Sequence, residues 1–216
     1  MQGFSGSGLG CVRGERQVFA DLDFAVAPGH ALLLAGANGS GKSSLLRIMA
    51  GLLRADAGAL YWNAADTADD EDAHRRRLAY VGHADPVKPA LSVRENLAFW
   101  ARLHGLDTRE ETALTRFGID RLADMPARYL SAGQRRRLTL ARLAIGRDGA
   151  ADPPLWLLDE PAAGLDTVAE AMLADTVLGH LAAGGIAVIA SHGGALDAAL
   201  AGQAERFEIV PFAEQR

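Results

Sequence analysis

Short apolar runs alternate with helically spaced segments along this 216-residue chain. Three runs are continuous: Ala31–Ala35, residues 155–158 and Ile186–Ala190. Each is bounded by glycine, proline or charge, as in a strand buried on both faces. Leu78–Val81 is a fourth strand candidate, ending at Gly82-His83. Residues 18–27 mix Val18, Phe19, Leu22, Phe24 and Val26 with acids and break at Pro28-Gly29. That pattern predicts antiparallel strand material ending in a turn, and residues 58–62 predict a short edge strand. Helical spacing runs over 44–53, 94–103, 109–117, 132–145 and 167–181. The segment 132–145 is the clearest, with Leu138, Leu140, Leu143 and Ala144 along it. Residues 64–77 are acidic, then basic, with no apolar period, and predict an exposed loop. Buried strands alternating with helices argue for an α/β fold with a mainly parallel sheet. The stretch from about 85 to 130 lacks a strand pattern and reads as an inserted α-helical subdomain within one domain spanning 1–216, behind an N-terminal antiparallel β subdomain.

Composition narrows the function classes. Charged residues make up 23% and hydrophobic ones 49%, an ordinary globular balance. A net charge of -5 argues against a nucleic-acid binder, which usually shows a basic face. The run Arg135-Arg136-Arg137 goes against that balance and reads as a solvated helix face. Cys11 is the single cysteine, so a disulfide framework, a thiolate metal cluster and a C-x-x-C-H haem attachment site are all ruled out. No direct haem binding is expected. The first ten residues lack the basic and apolar regions of a signal peptide. No apolar run approaches the roughly 20 residues of a membrane span. The chain is therefore expected in the cytoplasm, and any membrane role needs a partner.

Gly36-Ala37-Asn38-Gly39-Ser40-Gly41-Lys42-Ser43, followed by Ser44, fits the P-loop pattern between a predicted strand and a predicted helix. Its glycines let the backbone turn several N–H groups toward a polyphosphate, and the helix N-terminus adds its dipole. Lys42 would bridge the β- and γ-phosphates of ATP, and Ser43 would ligate Mg²⁺. The apolar strand 155–158 ends in Asp159-Glu160. Such a strand delivers Asp159 to the metal beside the P-loop. Glu160 points to the other face and is the candidate general base for the attacking water. The fold is therefore expected to be a P-loop NTPase core.

Leu130-Ser131-Ala132-Gly133-Gln134 opens the helix 132–145 and forms a second helix N-terminus suited to phosphate. One nucleotide needs one cradle, so a second would be idle in a monomer. LSAGQ resembles the signature motif of ABC ATPases, which kinases and GTPases lack. The resemblance covers roughly residues 9–210 and implies a homodimer closed head to tail, in which Ser131, Gly133 and Gln134 cap the γ-phosphate held by the partner's P-loop. Ala163-Gly164-Leu165-Asp166 resembles the family's D-loop, which places Asp166 against the partner subunit. His192, after Ser191, resembles the switch histidine on the γ-phosphate and joins Glu160 as a catalytic candidate.

Two positions depart from the family. His83 stands where a glutamine usually contacts the metal. Neutral imidazole can accept from a metal-bound water, so His83 stands open between a Mg²⁺ contact and a structural role. The aromatic that usually stacks on adenine falls at Arg13, with Phe19 the nearest aromatic downstream. A guanidinium plane can also stack on a base. With Tyr-Val-Gly-His at 80–83 and LSAGQRRRLTLARL from 130, the chain is similar to the ATP-binding subunits of cytochrome c maturation (haem export) systems. That resemblance implies integral membrane subunits as partners and a peripheral place on the cytoplasmic side of the bacterial inner membrane. An ABC exporter for another cargo is the alternative, followed by a soluble ABC ATPase without a transport role.

Overall fold

The structure, a computed structural model, describes residues 2–103, 110–145 and 154–210. The chain begins with β1 (Phe4–Arg13), β2 (Arg16–Val26), β3 (Ala31–Ala35), α1 (Lys42–Met49), β4 (Ala57–Trp62), β5 (Ala65–Asp66), α2 (Glu71–Arg76) and β6 (Leu78–Val81). It continues with α3 (Val93–Leu103), α4 (Glu110–Arg116), α5 (Ala132–Ala141), β7 (Leu155–Asp159), α6 (Thr167–Ala182), β8 (Ile186–Ala190), α7 (Ala195–Leu200) and β9 (Ala204–Glu208).

A parallel sheet runs β6-β7-β8-β3-β9, and an antiparallel sheet runs β2-β1-β4-β5. Every residue of β3, β7 and β8 is buried, as their continuous apolar runs require. Alternation then divides each strand between two cores. Leu32, Leu34, Leu155, Leu157 and Val188 pack with Leu45 and Leu46 of α1 and with Phe4 and Phe19 of the antiparallel sheet. Leu33, Trp156, Leu158 and Ile189 pack with Leu97, Leu114, Leu138 and Leu173 of the helices opposite. Because the strands are parallel, the loops at 36–41, 82–85, 160–166 and 191–194 all leave the same edge of the sheet, where open α/β sheets bind ligands. Between β6 and α5 the described residues hold α3, α4, two 3₁₀ turns and an isolated Ser92–Pro126 bridge.

Several expectations need correction. Residues 64–77 are not simply an exposed loop, since they form β5 and α2. Asp70 caps α2 by accepting from Ala73 N at 2.8 Å, and Arg75 pairs with Glu71 and Asp72. One buried residue anchors it: His74, whose Nε2 lies 2.7 Å from Met49 O and whose ring stacks on Phe4. Strand β1 was hidden by Gly6, Gly8 and Gly10: Gly6 and Gly10 sit close against neighbouring side chains, and Gly8 supplies a left-handed backbone. A Cβ at Gly6 would lie 2.4 Å from the Phe24 ring. The segment 58–62 is not a free edge, because β4 lies between β1 and β5. The helix 132–145 is α-helical only to Ala141 and tightens to a 3₁₀ turn at Arg142–Ala144. The segment 109–117 is helical as α4, with Arg109 outside the described residues. Neither α7 nor the mostly exposed β9 has a pattern strong enough to be anticipated. Among the described residues, no helix is long and apolar enough to cross a membrane.

Candidate functional site

β3 runs into a loop that needs left-handed backbone at Gly36, Gly39 and Gly41. The loop is tightly enclosed: a Cβ at Gly36 would lie 2.6 Å from Ile209 O, and one at Gly41 would lie 2.6 Å from Val18 Cγ1. Gly41 begins α1 with no side-chain cap and no acid in the first turn, which leaves the helix N–H groups available to an anion. Lys42 is 5% exposed and donates to the carbonyls of Gly36 at 2.7 Å and Ala37 at 3.0 Å. Its ammonium is thus buried on the loop with neutral acceptors, a state that favours an arriving anion. Ser40 Oγ is buried without a hydrogen-bond partner among the described residues. An uncapped helix, a buried cation and a free hydroxyl converge here, and together they fit a polyphosphate.

The end of β7 completes this site. Ser43 Oγ donates to Asp159 Oδ1 at 3.0 Å, joining the P-loop helix to the strand. Asp159 is buried, whereas the Glu160 side chain is 34% exposed. Glu160 has φ 48°, a left-handed conformation unusual for a residue with a side chain. His192, at the end of β8, places Nε2 3.1 Å from Glu160 Oε1. The exposed carboxylate is therefore oriented by an imidazole and lies one residue beyond the Asp159–Ser43 pair. That arrangement can hold a water and take its proton.

The other candidates fall around this centre. Ser131 caps α5 through a capping box, accepting from Gln134 N at 3.2 Å while its own N–H donates to Gln134 Oε1 at 2.8 Å. An accepting hydroxyl still has its proton to donate, so the cap leaves Ser131 able to bind an anion. Gly133 faces the loop after β7, where an added Cβ would lie 3.6 Å from Gly164 O. Asp166 caps α6 by accepting from Ala169 N and pairs with Arg137 at 2.5 Å. Its carboxyl is held below the usual range, first by the Ala169 bond and then by Arg137. Ala37, Asn38 and Ser44 lie on or just after the P-loop. His83 is exposed two residues past Val81, and Arg13 is exposed at the β1–β2 turn; the structure joins neither side chain to the P-loop. Phe19 is 1% exposed and so is core rather than a stacking surface.

The basic run at 135–137 is not a solvated face. Arg135 donates to Leu130 O, and Arg137 holds Asp166. Arg136 is 5% exposed and donates to the carbonyls of Gly82, Asp159, Glu160 and Pro161 and to the Asp85 carboxylate. Sequence reasoning missed this residue. Nothing local distinguishes it from its two neighbours, because every one of its partners lies at least 23 residues away in the sequence.

A family model described as "ABC transporter" matches residues 19–163. A cytochrome c biogenesis ATP-binding export protein CcmA from Rhodospirillum rubrum is 53% identical over 190 residues, covering 88% of this chain and 79% of that protein. Its namesake from Paramagnetospirillum magneticum is 52% identical over 194 residues, covering 88% and 87%. A solved putative ABC transporter ATP-binding protein from Pyrococcus furiosus superposes with a TM-score of 0.78 at 18% identity, over 95% of this chain and 96% of that one. At that identity the likeness concerns the fold.

Proposed function

The chain belongs to the ABC transporter family as an ATP-binding, ATP-hydrolysing subunit, and from that premise we propose that its ATP cycle drives an exporter of cytochrome c biogenesis. The names of its relatives at about half identity support that cargo system. The observation that carries the chemistry is the Ser43–Asp159 pair beside the Glu160–His192 pair.

In this reading the N–H groups at the start of α1 and the Ser40 hydroxyl bind the phosphates. Lys42 leaves the loop carbonyls for the β- and γ-phosphate oxygens. Ser43 and Asp159, joined at 3.0 Å, would hold Mg²⁺, a small oxygen donor set of the kind that ion takes beside phosphates. When bound, Mg²⁺ neutralises charge between the β- and γ-phosphates. Glu160 accepts a proton from the water that attacks the γ-phosphorus as the bond to the β-bridging oxygen breaks. His192 holds the carboxylate in position from Nε2. Ser131, Gly133 and Gln134 complete the site of a second copy, so the working unit is a head-to-tail homodimer. It sits peripherally on the cytoplasmic side of the inner membrane against integral membrane subunits and has no nucleic-acid partner. The test is complementation of cells whose own copy of this gene is deleted. Wild type restores haem staining of c-type cytochromes, and Glu160→Gln does not. Normal c-type cytochromes in the deleted cells would rule out the assignment.

A further inference from the structure

A guanidinium has five N–H donors, and in Arg136 all five are used. Nε donates to Pro161 O at 3.2 Å. Nη1 donates to Gly82 O at 3.2 Å and Asp85 Oδ1 at 3.1 Å. Nη2 donates to Asp159 O at 3.4 Å and Glu160 O at 2.7 Å. Three consecutive carbonyls at the end of β7 therefore converge on one buried cation, which also binds the loop after β6. The middle carbonyl belongs to Glu160, whose left-handed backbone is further restricted by the proline that follows it. Such a conformation persists only where its surroundings impose it. On one side Glu160 N donates to Ala190 O, and on the other Arg136 holds the carbonyl.

We propose that Arg136 is the positioning residue for Glu160, and that it couples the water-binding carboxylate to the loop at 82–85. Moving that loop would strip two acceptors from a buried guanidinium, and unpaired buried donors are unfavourable. The loop and the Glu160 turn therefore move together. The same loop carries His83 and leads through Asp85 toward α3, so a displacement of α3 reaches the carboxylate through Arg136. Lysine could not substitute, because it offers a point charge with three donors in place of a planar fork.

This inference rests on the reading of Glu160 as the base, and the test separates the two. Hydrolysis and ATP affinity are measured on the purified full chain for Arg136→Lys, Asp85→Ala, Glu160→Gln and the Arg136→Lys/Glu160→Gln double variant. Arg136→Lys should lower kcat about 10²-fold, as small misplacements of catalytic groups do, with KM for ATP nearly unchanged. Asp85→Ala, which removes one acceptor and leaves the strand untouched, should lower kcat roughly 10-fold at constant KM. In the Glu160→Gln background Arg136→Lys should have no further effect on the residual single-turnover rate, since groups acting as a unit are non-additive. A wild-type kcat in Arg136→Lys, a loss matched by KM, or an additive double variant overturns the proposal. If Arg136→Lys does not fold, an unchanged kcat in Asp85→Ala overturns it instead. A wild-type rate in Glu160→Gln refutes the base reading, and this inference with it. A slow Glu160→Gln beside a normal Arg136→Lys refutes this inference alone.

Discussion

Glu160 concentrates the chemistry and the backbone strain of this chain in one residue. Its φ of 48° costs of order 1–3 kcal/mol, and the bonds to Ala190 and Arg136 offset that. Glu160→Gln keeps the volume and backbone while removing the base, so ATP turnover should fall by ~10²–10⁴ with nucleotide binding intact. ATP-bound dimers should then accumulate in light scattering, because the closed state cannot be hydrolysed open. Unchanged turnover would remove Glu160 from the mechanism. At this scale, legibility followed sequence separation. Lys42, Ser43, Asp159 and Glu160 lie in short motifs next to buried strands, so spacing alone located them. Arg136 escaped because its acceptors lie 23 to 54 residues away. No short window contains both sides of that cluster.

At the scale of elements, the buried strands were legible because their apolar runs have only one plausible environment. Helix α2 and strand β1 were not, since one is held by a cap and ion pairs and the other by glycines that admit neighbouring side chains. The contact between α6 and β7 shows what packing adds. His180 stacks on Trp156 with ring centroids 3.8 Å apart and planes 7° apart, and its Nε2 lies 3.2 Å from Ile186 O. Burial pushes the His180 imidazole down to about 4 from 6.5. A depressed folded value means that protonation favours the unfolded chain. The contribution is fully present above pH 6.5 and is lost as pH falls toward 4, by up to about 3 kcal/mol. The melting temperature should therefore fall over that window, and it should fall less steeply in His180→Gln. His74, also lowered by burial, is common to both proteins and cancels in the comparison. Parallel melting curves for the two would exclude His180 as the source.

For the whole molecule, two anion-ready helix starts, at α1 and α5, leave a monomer with one cradle too many. The proposed dimer uses both, and it predicts complementation between defective chains. A Lys42→Ala chain mixed with a Ser131→Ala chain forms one composite site with both motifs intact. ATP-dependent association should return in the mixture when neither variant shows it alone. Two variants that stay monomeric together as well as apart would leave the head-to-tail arrangement without support. The ATP cycle must then reach the membrane partner through a surface, and the helix after the Gly82–His83 loop supplies a candidate. Trp100 packs on the core, with the Arg142 guanidinium 3.4 Å from its ring centre. Phe99 is the more exposed of the pair at 37%, edge-on to Trp100, with Lys88 Nζ 4.5 Å from its ring centre. A large apolar ring beside an exposed cation suits a partner helix that is apolar on one face and carries an acid. Phe99→Glu should be tolerated by the fold, because the new carboxylate is exposed and lies near Lys88. ATPase activity of the isolated subunit should persist, while co-purification with the membrane subunits and c-type cytochrome assembly should be lost. If the variant still assembles and matures cytochromes normally, the partner docks elsewhere.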